Sequence, residues 1–89
     1  MPRKDLTIIN KLGLHARAAA KLVATASRFG CRISIGRDSK SADAKSIMGV
    51  MMLAASKGTA IWLETEGEEE NEALLSLETL INNRFDEDE

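Results

Sequence analysis

Hydrophobic residues recur along this chain with two different spacings, one typical of helices and one typical of strands. Residues 31–35 alternate between apolar and polar side chains, which predicts a half-buried strand. Residues 16–29 carry one apolar stripe at helical spacing, made of Ala19, Leu22, Val23, Ala26 and Phe29. Over the whole chain the pattern predicts strands at 6–10, 31–35, 41–44 (a weak edge strand) and 59–66, and helices at 16–29, 47–55 and 69–85.

The predicted elements follow the order β-α-β-β-α-β-α, which indicates an α+β fold. Four strands with one apolar face need a covering layer, and three helices can supply it. We therefore predict an open-faced β-sandwich, in which a four-stranded, mainly antiparallel sheet is covered on one face by three helices. Residues 1–89 are predicted to form a single domain, with residues 86–89 as a frayed acidic tail.

The composition indicates a small folded protein. A chain of 89 residues that is 44% hydrophobic suits one domain with one modest core. The lone Cys31 cannot form an intrachain disulfide or a thiolate metal site, which fits a reducing compartment. Because no segment resembles a signal peptide or a membrane span, we expect a soluble cytoplasmic monomer with no membrane insertion, no metal and no cofactor.

Charge is distributed unevenly along the chain. Residues 1–45 carry ten Lys and Arg against three Asp and Glu, a formal +7, whereas residues 46–89 carry two against eleven, a formal −9. A basic first half favours acidic protein partners or a phosphate. A small RNA-binding α/β domain is an alternative, but the chain offers no aromatic platform for bases and no recognisable reading motif. We therefore expect no nucleic-acid partner.

The single histidine, His15, lies where a predicted strand gives way to a predicted helix. Free N–H groups at a helix start, together with the guanidinium of Arg17, are suited to hold a phosphoryl group. Arg17 is also unfavourable to the helix dipole unless an anion accompanies it. Imidazole is a nucleophile that titrates near neutral pH. The alternative is a surface or capping histidine without chemistry, and the local residues alone leave both interpretations open.

Two segments resemble the signatures of a known family. The sequence Gly-Leu-His-Ala-Arg at 13–17 is similar to the active-site signature of the HPr family, the phosphocarrier proteins of the bacterial phosphotransferase system. The sequence Lys-Ser-Ile-Met-Gly-Val-Met-Met-Leu at 45–53 resembles that family's second signature, at the expected separation. Ala18 stands where the family usually has proline, which would pre-set the first helical turn. Residues 10–14 and 85–89 resemble the nitrogen-related branch, called NPr.

The resemblance implies a phosphohistidine carrier that works with partner proteins and is not a stand-alone enzyme. Nδ1 of His15 would accept a phosphoryl group from enzyme I, or its nitrogen-branch counterpart, and pass it to a histidine of an EIIA-type protein. The backbone N–H groups of Ala16 and Arg17 and the Arg17 side chain would hold the phosphoryl oxygens. The alternatives are a sugar-transport HPr with the same chemistry and an HPr-like regulator that acts only by binding.

The second helix carries the remaining candidate residues. Ser46 is predicted to cap it, and the resemblance implies a second role for this serine as the substrate of an ATP-dependent kinase. A short helix that is apolar nearly all round cannot bury every side in so small a protein, and methionine suits a surface that meets several partners. By resemblance, the docking surface beside the histidine comprises Ile47, Met48 and Met51, with Lys21 and Lys45 at its rim.

Overall fold

The computed structural model describes residues 2–87. Their secondary structure follows the predicted order, with a short 3-10 turn added at the end. The strands are β1 (Arg3–Thr7), β2 (Arg32–Arg37), β3 (Lys40–Asp43) and β4 (Ala60–Glu66). The helices are α1 (Ala16–Ala26), α2 (Ile47–Met52) and α3 (Glu70–Asn82), followed by the 3-10 turn Arg84–Asp86.

The four strands form one sheet in the order β1-β4-β2-β3, and each neighbouring pair is antiparallel. Pairing places Leu6 opposite Ile61, and Leu63 opposite Ile35, so the apolar residues share one face of the sheet. The helices pack on this face, where α3 contacts β4 and β1, and α1 lies between α2 and α3. The predicted fold class is therefore confirmed.

The core is almost entirely aliphatic, and Phe85 is the one fully buried aromatic side chain among residues 2–87. The stripe of α1 supplies its buried residues, among them Ala19, Leu22 and Ala26, whereas Val23 and Phe29 pack at the margin. The largest fully buried apolar side chains outside α1 come from the strands and the residue after β1, from α2 and α3, and from the 3-10 turn: Ile8, Ile33, Ile35, Val50, Leu63, Leu77, Ile81 and Phe85.

Element boundaries differ most in the first strand, which the sequence placed at 6–10 and the structure places at Arg3–Thr7. Its start is fixed by pairing with β4, a partner more than fifty residues away that the local pattern does not reveal. Its end is fixed by a turn, in which the Gly13 amide donates to the Asn10 carbonyl at 3.2 Å. Similarly, α1 and α2 each end three residues earlier than predicted.

The C-terminal segment turns back onto the domain. The predicted helix at 69–85 ends at Asn82, and Arg84, Phe85 and Asp86 adopt left-handed backbone angles, with φ of 57°, 54° and 64°. Burial of the Phe85 ring provides the driving force, because its side chain is fully enclosed in the core. Of the frayed tail predicted at residues 86–89, Asp86 is exposed at the end of the 3-10 turn and Glu87 is half-buried, while residues 88–89 fall outside the described range.

The loop before His15 crosses close to the backbone that follows α2. Gly13 is buried with φ at +65°, and a Cβ atom there would lie 2.5 Å from the carbonyl oxygen of Ala55. That same oxygen accepts a hydrogen bond from the Leu14 amide at 2.9 Å. Glycine is required at this crossing on two counts, since the positive φ and the close approach each disfavour a side chain.

We expect Gly13→Ala to lower the free energy of unfolding by about 2–4 kcal/mol, because it combines left-handed strain with overpacking. Gly58→Ala is the first control, since Gly58 has φ of +91° but open space around it. Gly30→Ala is the second, since it has neither feature, and its stability should be unchanged or slightly raised. Urea unfolding checks the expected order of stability loss, which is greatest for Gly13→Ala, smaller for Gly58→Ala and absent for Gly30→Ala. If Gly13→Ala and Gly58→Ala lose the same free energy of unfolding, the backbone at Ala55 moves to make room for the added methyl group, and the close approach is not a constraint.

Candidate functional site

His15 lies at the N-cap position of α1, with extended backbone angles of φ −74° and ψ 177°. Its carbonyl starts the helix by accepting from the Ala19 amide at 2.8 Å. The imidazole does not cap the helix, and the first turn contains no acidic residue. The positive end of α1 therefore has no compensating charge of its own in the first turn, which favours an external anion.

Ala16 and Arg17 are the first two residues of α1, and both are exposed. The Ala19 amide makes the first hydrogen bond of the helix, so the amides of Ala16 and Arg17 have no intrahelical acceptor and are available to a ligand. The Arg17 guanidinium makes no ion pair with any other residue between 2 and 87. Both residues line the same surface depression as the His15 ring, a cavity of about 800 Å³. The structure thus gathers the predicted ring, amides and guanidinium around one opening.

Ala18, which stands where the HPr family usually has proline, is fully buried in the first turn of α1. The helix begins at Ala16 without any break. Alanine has the highest intrinsic helix propensity, so this helix start does not depend on a proline ring.

Two residues that the sequence analysis did not single out complete the surroundings of His15. Oε2 of Glu87 lies 2.5 Å from Nε2 of His15. Oε1 of the same carboxylate accepts a hydrogen bond from Nδ2 of Asn10 at 3.0 Å. The Asn10 amide is fully buried and also donates to the carbonyl of Gly13 at 2.8 Å. The polar Asn10 at the end of an apolar strand was the one available signal, since nothing local links Glu87 to the histidine.

The surroundings of Glu87 favour its charged form. The hydrogen bond from Asn10 is the largest cause that lowers the pKa of this carboxyl below its ordinary value, although partial burial acts in the opposite direction. His15 and Lys21 lower the pKa further through hydrogen bonding and charge. The histidine therefore has a carboxylate beside it at neutral pH.

The second helix begins as predicted. Ser46 is its N-cap, and the Ser46 hydroxyl accepts a hydrogen bond from the Gly49 amide at 3.1 Å. Val50 is fully buried, which anchors the helix to the core. The side chains expected to face outward do so, and the sequence analysis overlooked a fourth. We call this set the methionine patch: Ile47, Met48, Met51 and Met52 are 44%, 69%, 38% and 72% exposed.

The two lysines predicted at the rim of the docking surface are each tied to a main-chain carbonyl. The ammonium of Lys21 donates to the Phe85 carbonyl at 2.6 Å, and that of Lys45 donates to the Phe29 carbonyl at 2.7 Å. Both lysines are half-buried. They join separate segments of the fold, so each has a structural contact in addition to any role at a surface.

Comparison with known proteins agrees with this architecture. Residues 2–83 match the family model described as "PTS HPr component phosphorylation site". The chain therefore belongs to the HPr family, the phosphocarrier proteins of the phosphotransferase system, and the resemblance drawn from the two signatures is confirmed.

Individual relatives span its whole length. Phosphocarrier protein HPr of Pseudomonas aeruginosa is 63% identical over 90 residues, covering 100% of both chains. The crystal structure of HPr-C-His from Thermoanaerobacter tengcongensis superimposes with a TM-score of 0.96 at 45% identity, covering 100% of both chains. An HPr dimer from the same organism superimposes with a TM-score of 0.79 at 46% identity, covering 98% of this chain and 100% of the other. Within residues 2–87, the helices are too short or too polar to cross a membrane.

Proposed function

We propose that this phosphocarrier accepts its phosphoryl group on Nδ1 of His15 from phosphorylated enzyme I, or a nitrogen-branch counterpart, and passes it to a histidine of an EIIA-type protein. In each transfer, the phosphorus–nitrogen bond of the donor histidine breaks and its electron pair returns to that nitrogen. The lone pair of the acceptor nitrogen forms the new bond. The observation that carries the proposal is an uncapped helix start, where the His15 ring and the Arg17 guanidinium share one opening.

Arg17 and the backbone amides of Ala16 and Arg17 are proposed to hold the phosphoryl oxygens. A helix start supplies N–H donors and a positive dipole end, and the guanidinium adds charge-assisted hydrogen bonds. These interactions help transfer only as far as they favour the transition state over the phosphorylated protein. An exposed arginine suits this requirement, because solvent screening keeps the ground-state attraction modest.

The methionine patch is proposed as the centre of the docking surface, with Arg17, Lys21 and Lys45 as its charged rim. Apolar central contacts supply much of the energy of such an interface, whereas rim charges set the association rate and its salt dependence. Phosphorylation of Ser46 by an ATP-dependent kinase is proposed as a control. A phosphate at this N-cap is tolerated by the helix, but it adds negative charge beside the patch.

We assign the chain to the nitrogen-related branch on the basis of residues 10–14 and 85–89, and we propose that it acts as a cytoplasmic monomer. A sugar-transport HPr of the same chemistry is the second candidate, favoured by the HPr name of the Pseudomonas aeruginosa relative. The neighbouring genes distinguish the two, since an adjacent nitrogen-type EIIA or sigma-54 gene indicates the nitrogen branch. Sedimentation tests the monomer against the dimeric state known for a solved relative.

The proposal predicts that phosphoenolpyruvate and a cognate enzyme I add one acid-labile phosphoryl group to the chain at His15. His15→Ala should abolish labelling and keep the fold, because the ring is partly exposed and caps nothing. Mass spectrometry and a thermal melt check both points. Acid-stable labelling, or labelling that persists in His15→Ala, would contradict the assignment. An unlabelled wild type would favour a regulator that acts only by binding.

Arg17→Ala should slow phosphoryl transfer more than it weakens docking. The loss of a charge-assisted contact to phosphate costs about 1.5–3 kcal/mol, which corresponds to a rate about 10- to 150-fold lower. Arg28→Ala is the matched control, since it removes an exposed positive charge just beyond the other end of α1. Rapid-quench kinetics with phosphorylated enzyme I provide the comparison. If Arg17→Ala and Arg28→Ala transfer the phosphoryl group at equal rates, Arg17 acts only as a surface charge and does not hold the phosphoryl oxygens.

Met48→Glu should weaken binding to enzyme I by about 2 kcal/mol or more, because it places a charge at the apolar centre of the patch. Leu75→Glu is the matched control, since Leu75 is 63% exposed on α3. Lys45→Ala should mainly reduce the salt dependence of binding, and Ser46→Asp should weaken binding mildly.

Titration calorimetry at two salt concentrations, with a thermal melt of each variant, checks the docking surface. If Met48→Glu binds enzyme I normally, or if that variant unfolds, the methionine patch is not the exposed docking surface that we propose.

A further inference from the structure

The contact between Glu87 and His15 fixes where the imidazole proton lies. A carboxylate can only accept hydrogen bonds, so at 2.5 Å from Oε2 the Nε2 atom of His15 must be the donor. A neutral imidazole carries one N–H, and a proton on Nε2 leaves the lone pair on Nδ1. The contact therefore selects the tautomer in which Nδ1 is the nucleophile.

The carboxylate itself is held by groups from separate parts of the chain. Both partners of the Asn10 amide nitrogen, Oε1 of Glu87 and the Gly13 carbonyl, are acceptors, which fixes the orientation of this buried side chain. One amide thus joins the carboxylate to the loop that leads into His15. The chain just before Glu87 is held at Phe85. The Phe85 ring is buried in the core, and the Phe85 carbonyl accepts a hydrogen bond from Lys21.

We propose that Glu87 is a positioning residue for phosphoryl transfer: it holds the Nε2 proton of His15, so that the lone pair of the neutral ring lies on Nδ1, and it offsets the positive charge that the ring acquires. This inference rests on the proposed role of His15 as the acceptor. When Nδ1 bonds to phosphorus, its lone pair is shared and the ring becomes a cation that retains the Nε2 proton. When the group moves on, the electron pair returns to Nδ1 and the proton has not left the ring.

The charges around the ring are consistent with this division of roles. The opening is lined by charged side chains of both signs: Lys11, Arg17, Lys21, Asp86 and Glu87. The hydrogen bond from Asn10 lowers the pKa of Glu87, so the carboxylate is charged when transfer occurs. A negative group at Nε2 balances the imidazolium, whereas Arg17 is available for the phosphoryl oxygens, and the two requirements of the reaction are met by different side chains.

The test compares Glu87→Ala, Glu87→Gln and Glu66→Gln. Glu87→Ala removes the acceptor, and Glu87→Gln keeps an acceptor oxygen without the charge. Glu66→Gln is the control, because it removes one carboxylate charge from an exposed position on β4. For each protein, ¹⁵N shifts of the His15 ring report the tautomer in the pH range where these signals no longer change. Rapid-quench kinetics report transfer from phosphorylated enzyme I.

We expect the wild type and Glu66→Gln to hold the proton on Nε2. Glu87→Ala should show mixed tautomers and transfer slowed by about 10-fold or more, the scale on which the hydrogen-bonded partners of functional histidines act. Glu87→Gln should retain the tautomer and recover part of the rate. The proposal is overturned if Glu87→Ala keeps the wild-type tautomer, whether or not its rate falls, or if it transfers at the wild-type rate.

These outcomes separate the inference from the proposed function. A wild-type protein that enzyme I does not label at His15 contradicts the proposed function, whatever the variants do. A wild type that is labelled normally, beside an unimpaired Glu87→Ala, contradicts only the role of Glu87. If Glu87→Ala melts below the assay temperature, Glu87→Gln decides the question. An unchanged rate in that variant overturns charge compensation.

Discussion

The close approach of Gly13 to the backbone at Ala55 is the constraint on which the site depends. The hydrogen bond from Leu14 to the Ala55 carbonyl fixes the loop immediately before His15. It also joins that loop to the segment that leaves α2, so the helix that carries the methionine patch is held in a fixed relation to the helix that starts at His15. Without a side chain at Gly13 the two backbones can meet, and the approach leaves little freedom to either loop.

Features with a local cause were predictable from the sequence. The apolar stripe of α1, the alternation of β2 and the cap of α2 by Ser46 each depend on residues within one element, and the fold class follows from their order. The position of β1 was not predictable in the same way, because it is set by pairing with β4. The same division holds at the site, where one short motif contains His15 and Arg17, but Asn10 and Glu87 meet across 77 positions of sequence.

The uneven charge of the two halves proved an incomplete guide to the site. Basic residues do surround His15, as the first half of the sequence indicates, but the acidic second half contributes Glu87 to the same opening. Burial of Phe85 accounts for this, since a hydrophobic anchor determines where the neighbouring carboxylate is placed. A count of charges describes only their positions along the sequence. The electrostatic potential at a site depends on which charged segments folding places beside it.

The groups around His15 belong to segments that are distant in the chain: the turn after β1, the start of α1 and the fold-back after α3. Contacts of such large sequence separation form only when the sheet has closed and α3 has docked. The constellation is therefore a property of the cooperative native state. Opening of only the residues after the buried Phe85 would separate Glu87 from His15 and leave the sheet and helices intact, so the surroundings of the histidine can change at this one place without unfolding of the domain.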